Sequence, residues 1–94
     1  MKTIYKYSVL AEDEFEIEMP EHATILDLQV QKGNPFIWAF INTDNPLIKR
    51  KFALRGTGHD CNTLETSMNE TVKYIGSYQL ENGSLVFHLF ERYR

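Results

Sequence analysis

The feature that most constrains this chain is a two-residue rhythm. In "EFEIEM" (14–19), Phe15, Ile17 and Met19 alternate with Glu14, Glu16 and Glu18. In "TILDLQVQ" (24–31), Leu26, Leu28 and Val30 alternate with Asp27, Gln29 and Gln31. A helix, repeating every 3.6 residues, scatters such a pattern around its axis, whereas a strand sorts it onto two faces. "TIYKYSV" (3–9), "FIWAFIN" (36–42), "LIKRKFALR" (47–55), "TVKYIGSYQL" (71–80) and "LVFHLFERY" (85–93) add further runs rich in β-branched and aromatic residues. Turn-forming clusters separate them, among them "PEHA", "KGNP", "TDNP" and "ENGS". The pattern predicts an all-β domain, a compact antiparallel β-sandwich or small barrel of about seven short strands. The acidic "AEDE" is expected to join the first two strands as a hairpin, and Asn82-Gly83 the last two. "FIWAFIN" is apolar on both faces. It is expected as a central strand covered from both sides, or partly in a subunit contact. The polar stretch 62–70 has room for one short helical turn around Leu64 and Met68.

With 94 residues the chain has room for a single domain, 1–94. A core of that size leaves a thin stability margin, which association with a second copy would widen. The net charge of −3 argues against long nucleic acid, whose binding needs a broad basic field. A local cluster can still hold a small anion, because distant charges are screened beyond about 10 Å. One cysteine, Cys61, permits no intrachain disulfide and too few thiolates for a cysteine metal site. No apolar run resembles a signal peptide or a membrane span. Cytosolic expression is the expectation, with no membrane partner.

Two segments invite a binding reading. "RGTGHD" follows a strand and offers Arg55, Gly56, Thr57, Gly58 and His59. Glycines let backbone N–H groups approach a ligand and form an anion nest. The plainer reading is a strand-ending turn with a solvated histidine. No Lys-Ser/Thr follows, so it is not a P-loop. The basic run contributes Lys49, Lys51 and Arg55 to one strand face, which suits phosphate but is more often a solvated surface. Tyr5, Tyr7, Tyr74 and Tyr78 are stacking candidates, and Trp38 a weaker one because a tryptophan in so apolar a run usually packs in a core. His88, mid-strand, reads as a partly buried histidine bonded to its neighbours. His22, His59 and His88 have no metal-site spacing, so neither metal nor cofactor is expected. His59, Asp60 and Cys61 name the members of a nucleophilic triad, but adjacent residues in an extended chain point apart. The carboxylates of "EDEFEIE" read as a solubilising face, and no catalytic set emerges.

The segments "KTIYKY", "MPEHATILDLQVQKGNPFIWAFIN", "RGTGH" and "KYIGSYQLENGSLVFHLFE", in that order, resemble a widespread family of short phage and prophage proteins. The resemblance covers nearly the whole chain and is strongest in "ILDLQVQ", "GTGH", "YIGSYQ" and "LVFHLFE". Relatives of this type look like viral sponges, non-enzymatic proteins that sequester the cyclic nucleotide signals of bacterial immunity, such as the cyclic dinucleotides of CBASS. The chain departs from the commoner pattern after "GTGH", where "DCNTLETSMNE" replaces a short connection opening with proline. What the resemblance implies is a homo-oligomeric immune-evasion protein of the host bacterial cytoplasm with a small cyclic nucleotide as partner. Arg55 and Lys51 would pair with phosphate. Gly56, Thr57 and Gly58 would donate hydrogen bonds, and His59 would meet a phosphate or base edge. Tyr5, Tyr7, Tyr74 and Trp38 would stack on bases. A protein-binding inhibitor or small structural phage protein is the alternative, marked by an exposed apolar patch from "FIWAFI". A nuclease or phosphodiesterase for the same ligands is a third reading.

Overall fold

Strict alternation becomes two sheets in the computed structural model, which describes residues 1–65 and 71–93. Seven strands form: β1 (Lys2–Ser8), β2 (Glu14–Pro20), β3 (Thr24–Gln31), β4 (Asn34–Asn42), β5 (Leu47–Gly56), β6 (Val72–Leu80) and β7 (Leu85–Arg92). One sheet has the order β1-β4-β3, the other β2-β5-β7-β6, and every pairing is antiparallel. The fold is a β-sandwich rather than a closed barrel. A helical turn, α1 (Asn62–Glu65), and a 3-10 turn at Glu81–Gly83 complete the described elements. No described helix is long and apolar enough to cross a membrane.

The inner faces explain the rhythm. Phe15, Ile17 and Met19 of β2, Phe52 and Leu54 of β5 and Leu89 of β7 meet Ile37, Ala39 and Ile41 of β4 in one buried cluster. Burying each large side chain contributes roughly 1.5–3 kcal/mol. Glu14, Glu16 and Glu18 stay at the surface, as the alternation predicts.

Three expectations fail. "AEDE" does not close a hairpin, because β1 pairs with β4 and β2 with β5, so the segment crosses from one sheet to the other. The turn after β3 is also shorter than "KGNP". Lys32 (φ 50°) and Gly33 (φ 81°) alone join Gln31 to Asn34, a two-residue turn with both residues left-handed. Last, β4 is central in its sheet, yet among the described residues only its inner face is covered. Cover from both sides within one chain therefore fails, while the expected subunit contact is not at issue in a single copy. Ile37, Ala39 and Ile41 are buried, while Phe40 is 44% exposed and Phe36 and Trp38 are half-buried on the outer side.

A second, smaller core lies on the outer face of the four-stranded sheet. Leu64 of α1 is fully buried there with Ala53, Val72 and Phe90. The Asp60 carboxylate accepts the Asn62 N–H at 2.7 Å and so fixes the start of α1. The helical turn expected around Leu64 therefore forms; Met68 lies outside the described residues.

Candidate functional site

The glycine bend closes on itself. The Arg55 guanidinium donates to the carbonyls of Asp13 (2.7 Å), Leu54 (3.0 Å) and Asp60 (3.1 Å). It also donates to Glu14 (2.8 Å) and the Thr63 hydroxyl (3.1 Å). Its side chain is only 10% exposed. The Gly56 N–H donates to His59 Nδ1, the His59 N–H to the Gly56 carbonyl, and the Thr57 N–H to Val86 across the sheet. The His59 ring lies so close that a Cβ on Gly56 would stand 2.6 Å from Cε1, and Gly58 holds φ +86°. Both glycines are needed, one for close approach and one for backbone hand. The arginine and the amides of residues 56, 57 and 59 thus have protein partners. The bend is an Arg55-locked turn, and an anion there would have to displace those bonds.

Arg92 reinforces the lock. Its Nε and Nη2 donate to Glu14 at 2.7 and 3.1 Å, so two guanidiniums share one carboxylate. The hydrogen bonds from Arg92, then those from Arg55, hold the Glu14 carboxyl below its ordinary range despite partial burial.

Thr57 belongs to a chain that the sequence did not reveal. Its hydroxyl lies 2.8 Å from His88 Nε2, and the Tyr74 hydroxyl lies 2.8 Å from His88 Nδ1. Both ring nitrogens of His88 are thereby engaged, as expected of a half-buried histidine among polar neighbours. Tyr74 packs edge-on against Phe90, its ring centroid 5.2 Å away. Register places Tyr74 opposite Phe90 and Ser77 opposite His88, so the chain crosses the outer face beside the small second core.

The remaining predicted residues do not join the bend. Lys51 lies on the outer face of β5, opposite Glu16 in register. Tyr5 and Tyr7 sit on β1, in the other sheet, their rings 6.5 Å apart. Burial, then the neighbouring Tyr5, raises the Tyr7 hydroxyl above its ordinary pKa. Trp38 is on the outer face of β4, with Lys6 Nζ 5.7 Å from its ring centre and 4.4 Å from that of Phe36. Tyr78 is buried and stacks on Phe87 at 5.6 Å.

A groove of different character runs along the far end of β5. Its floor is an ion pair that sequence reading passed over. Arg50 Nη2 donates to Glu91 Oε1 at 2.7 Å, Nε to the other carboxylate oxygen, and Nη1 to the Ala23 carbonyl. The side chains are 17% and 4% exposed. Glu91 holds the Arg50 guanidinium above its ordinary pKa. Burial, and then the Glu91 charge, raises the Tyr93 phenol beside them.

Two hollows share this floor. One, about 480 Å³, is bordered by His22, Lys49, Lys51 and Tyr93. The other, about 400 Å³, opens between the edge strands β3 and β6 and is bordered by Lys73 and Tyr74. Ala23, Arg50, Glu91 and Tyr93 line both, so the two hollows adjoin at the Arg50–Glu91 pair; together they are the groove. Lys49, Lys51 and Lys73 enter no ion pair among the described residues. Of the predicted residues, Lys51 and Tyr74 border this groove. The signal for the floor lay in "KRK", where Arg50 alternates inward between Lys49 and Lys51.

A family model described as a domain of unknown function (DUF7352) matches residues 1–94. The chain belongs to that family. No curated protein and no solved structure matches it significantly. For this DUF7352 chain, therefore, the chemistry of the groove and the bend carries the functional argument.

Proposed function

We propose that this protein is a non-catalytic binder that sequesters a small cyclic nucleotide, such as the cyclic dinucleotides of CBASS, as a phage immune-evasion protein in the host bacterial cytoplasm. The observation that carries this reading is the groove over Arg50 and Glu91. Each hollow falls within the usual range of small-ligand sites, roughly 300–1,000 Å³. Lys49, Lys51 and Lys73, which enter no ion pair among the described residues, border it as cations for phosphate. Tyr93, 55% exposed, offers a ring to a base. Arg50 does not contact the ligand; it keeps Glu91 neutralised beneath it. The phosphate role moves from Arg55 to the lysines of the same strand. Arg55 is a lock, and the stacking role passes from Tyr5, Tyr7 and Trp38 to Tyr93.

Titration calorimetry against a panel of cyclic mono-, di- and trinucleotides tests this. The expected result is binding to at least one member, weakened in Lys49→Ala and Lys51→Ala, with intact nucleotide recovered after heat denaturation of the complex. Affinity no better than about 10 μM for every member overturns it, and recovery of a hydrolysed product replaces it with a phosphodiesterase.

One observation favours a second reading. The half-exposed row Phe36, Trp38 and Phe40 is the apolar patch expected of a protein-binding inhibitor or small structural protein. Capture of a defined host protein that Trp38→Ser abolishes, with no nucleotide bound, would select it.

A further inference from the structure

Among the described residues, two open sheets leave four edge strands: β1 and β3 in one, β2 and β6 in the other. An unprotected edge is a template for another strand, and three of these four carry protection. β3 shifts register between Ile25 and Asp27, and β6 between Tyr74 and Gly76. Both are bulged, and they flank the groove. β2 presents Glu14, Glu16 and Glu18 on one face and ends in Pro20, so pairing with its own copy would set glutamate against glutamate.

β1 has no bulge, proline or acidic face; its edge charges are Lys2 and Lys6, four residues apart. Its register with β4 runs unbroken from Lys2 opposite Asn42 to Ser8 opposite Phe36. Its hydrogen-bonding parity is fixed at both ends. The Thr43 N–H donates to the Met1 carbonyl at 2.8 Å, and the Val9 N–H to the Pro35 carbonyl at 3.1 Å. Odd-numbered residues therefore bond to β4, and the amides and carbonyls of Lys2, Ile4, Lys6 and Ser8 point outward along the free edge. Ile4 and Tyr5 are 56% and 46% exposed there.

We propose that β1 pairs antiparallel with β1 of a second copy, about a two-fold axis through Tyr5, to join the two three-stranded sheets into one of six strands. The occupant is argued from self-complementarity. A two-fold contact must match the strand to itself, and faces are kept only when residues of equal parity meet. With Tyr5 on the axis, Lys2 meets Ser8 of the second copy, Ile4 meets Lys6, and Thr3 meets Tyr7. The even-numbered pairs exchange the hydrogen bonds, which is what the free parity of β1 requires. Sliding by one step in either direction sets Lys2 against Lys6, or Lys6 against itself, and like charges directly opposite are unfavourable. Lys6 is already held over Phe36 and donates to Gln31 at 3.2 Å, so its aliphatic stem is presented to Ile4 of the second copy.

Sedimentation of the full chain across micromolar concentrations tests this, with two substitutions at one exposed position. The expected result is a reversible dimer of twice the 11.0 kDa chain mass. Ile4→Lys, which sets lysine against lysine twice per dimer, should weaken it roughly tenfold or more, whereas Ile4→Glu, which meets Lys6, should retain it in a salt-dependent way. Circular dichroism of each variant confirms folding. A monomer up to about 100 μM overturns the proposal, as does equal weakening by both substitutions. A dimer that survives Ile4→Lys but is lost in Trp38→Ser overturns it too, and assigns the contact to the aromatic face of β4.

Discussion

Arg50 and Arg55 lie five residues apart on one strand and do opposite things to their surroundings. Arg55 faces outward and gathers carbonyls, a hydroxyl and a carboxylate until the glycine bend has few donors to spare. Arg50 faces inward and commits itself to Glu91 and Ala23, and Lys49 and Lys51 beside it enter no ion pair among the described residues. An arginine in a promising motif is thus no guide to a ligand until its partners are counted. The groove is the better candidate because its cations are unspent.

Removal of each arginine sharpens that contrast. Arg50→Ala strands a buried carboxylate, so chemical denaturation should show a loss of about 3–5 kcal/mol. Arg55→Ala should cost about 1.5–3 kcal/mol by the same measurement, since Glu14 keeps Arg92 while the bend loses its lock. Ligand affinity should survive Arg55→Ala, and a selective loss there would return the site to the bend.

On the acid limb, the difference between wild type and Glu14→Gln probes the bend end. Glu14 has a folded pKa below its ordinary 4.5. Its contribution is therefore fully present above that value and fades as pH falls through the lower folded value. The carboxylate is 47% exposed, so solvent screening keeps the effect below roughly 1 kcal/mol. In urea titrations from pH 7 to pH 3, Glu14→Gln should be less stable than wild type at neutral pH, and the gap should close in acid. The smallest stability effect belongs to Lys51→Ala, within about 0.5 kcal/mol. The same change should weaken nucleotide binding roughly tenfold, the value of one charged hydrogen bond.

The fold was legible because its signal is local. Period-two alternation placed Phe15, Ile17 and Met19 inside, and Asn82-Gly83 marked the final hairpin, whose Asn82 does adopt φ 56°. Which strand pairs with which is not local. "AEDE" looks like a hairpin turn, yet the inner faces close over each other only when β1 and β2 lie in different sheets. The candidate site was legible only in pieces. Lys51 and Tyr74 were visible as residue types, but Arg50 was hidden among lysines and Glu91 within an apolar strand. Their pairing spans forty-one residues of sequence, beyond the reach of any motif.

The lone tryptophan stands on the outer face of β4 and lines neither hollow of the groove, although Asp27, its partner on β3, borders one. Its emission is therefore chiefly a reporter for that outer surface. Anything that covers Phe36 and Phe40 should shift it to the blue, and nucleotide entering the groove should disturb it less, so the two events differ in the size of the shift.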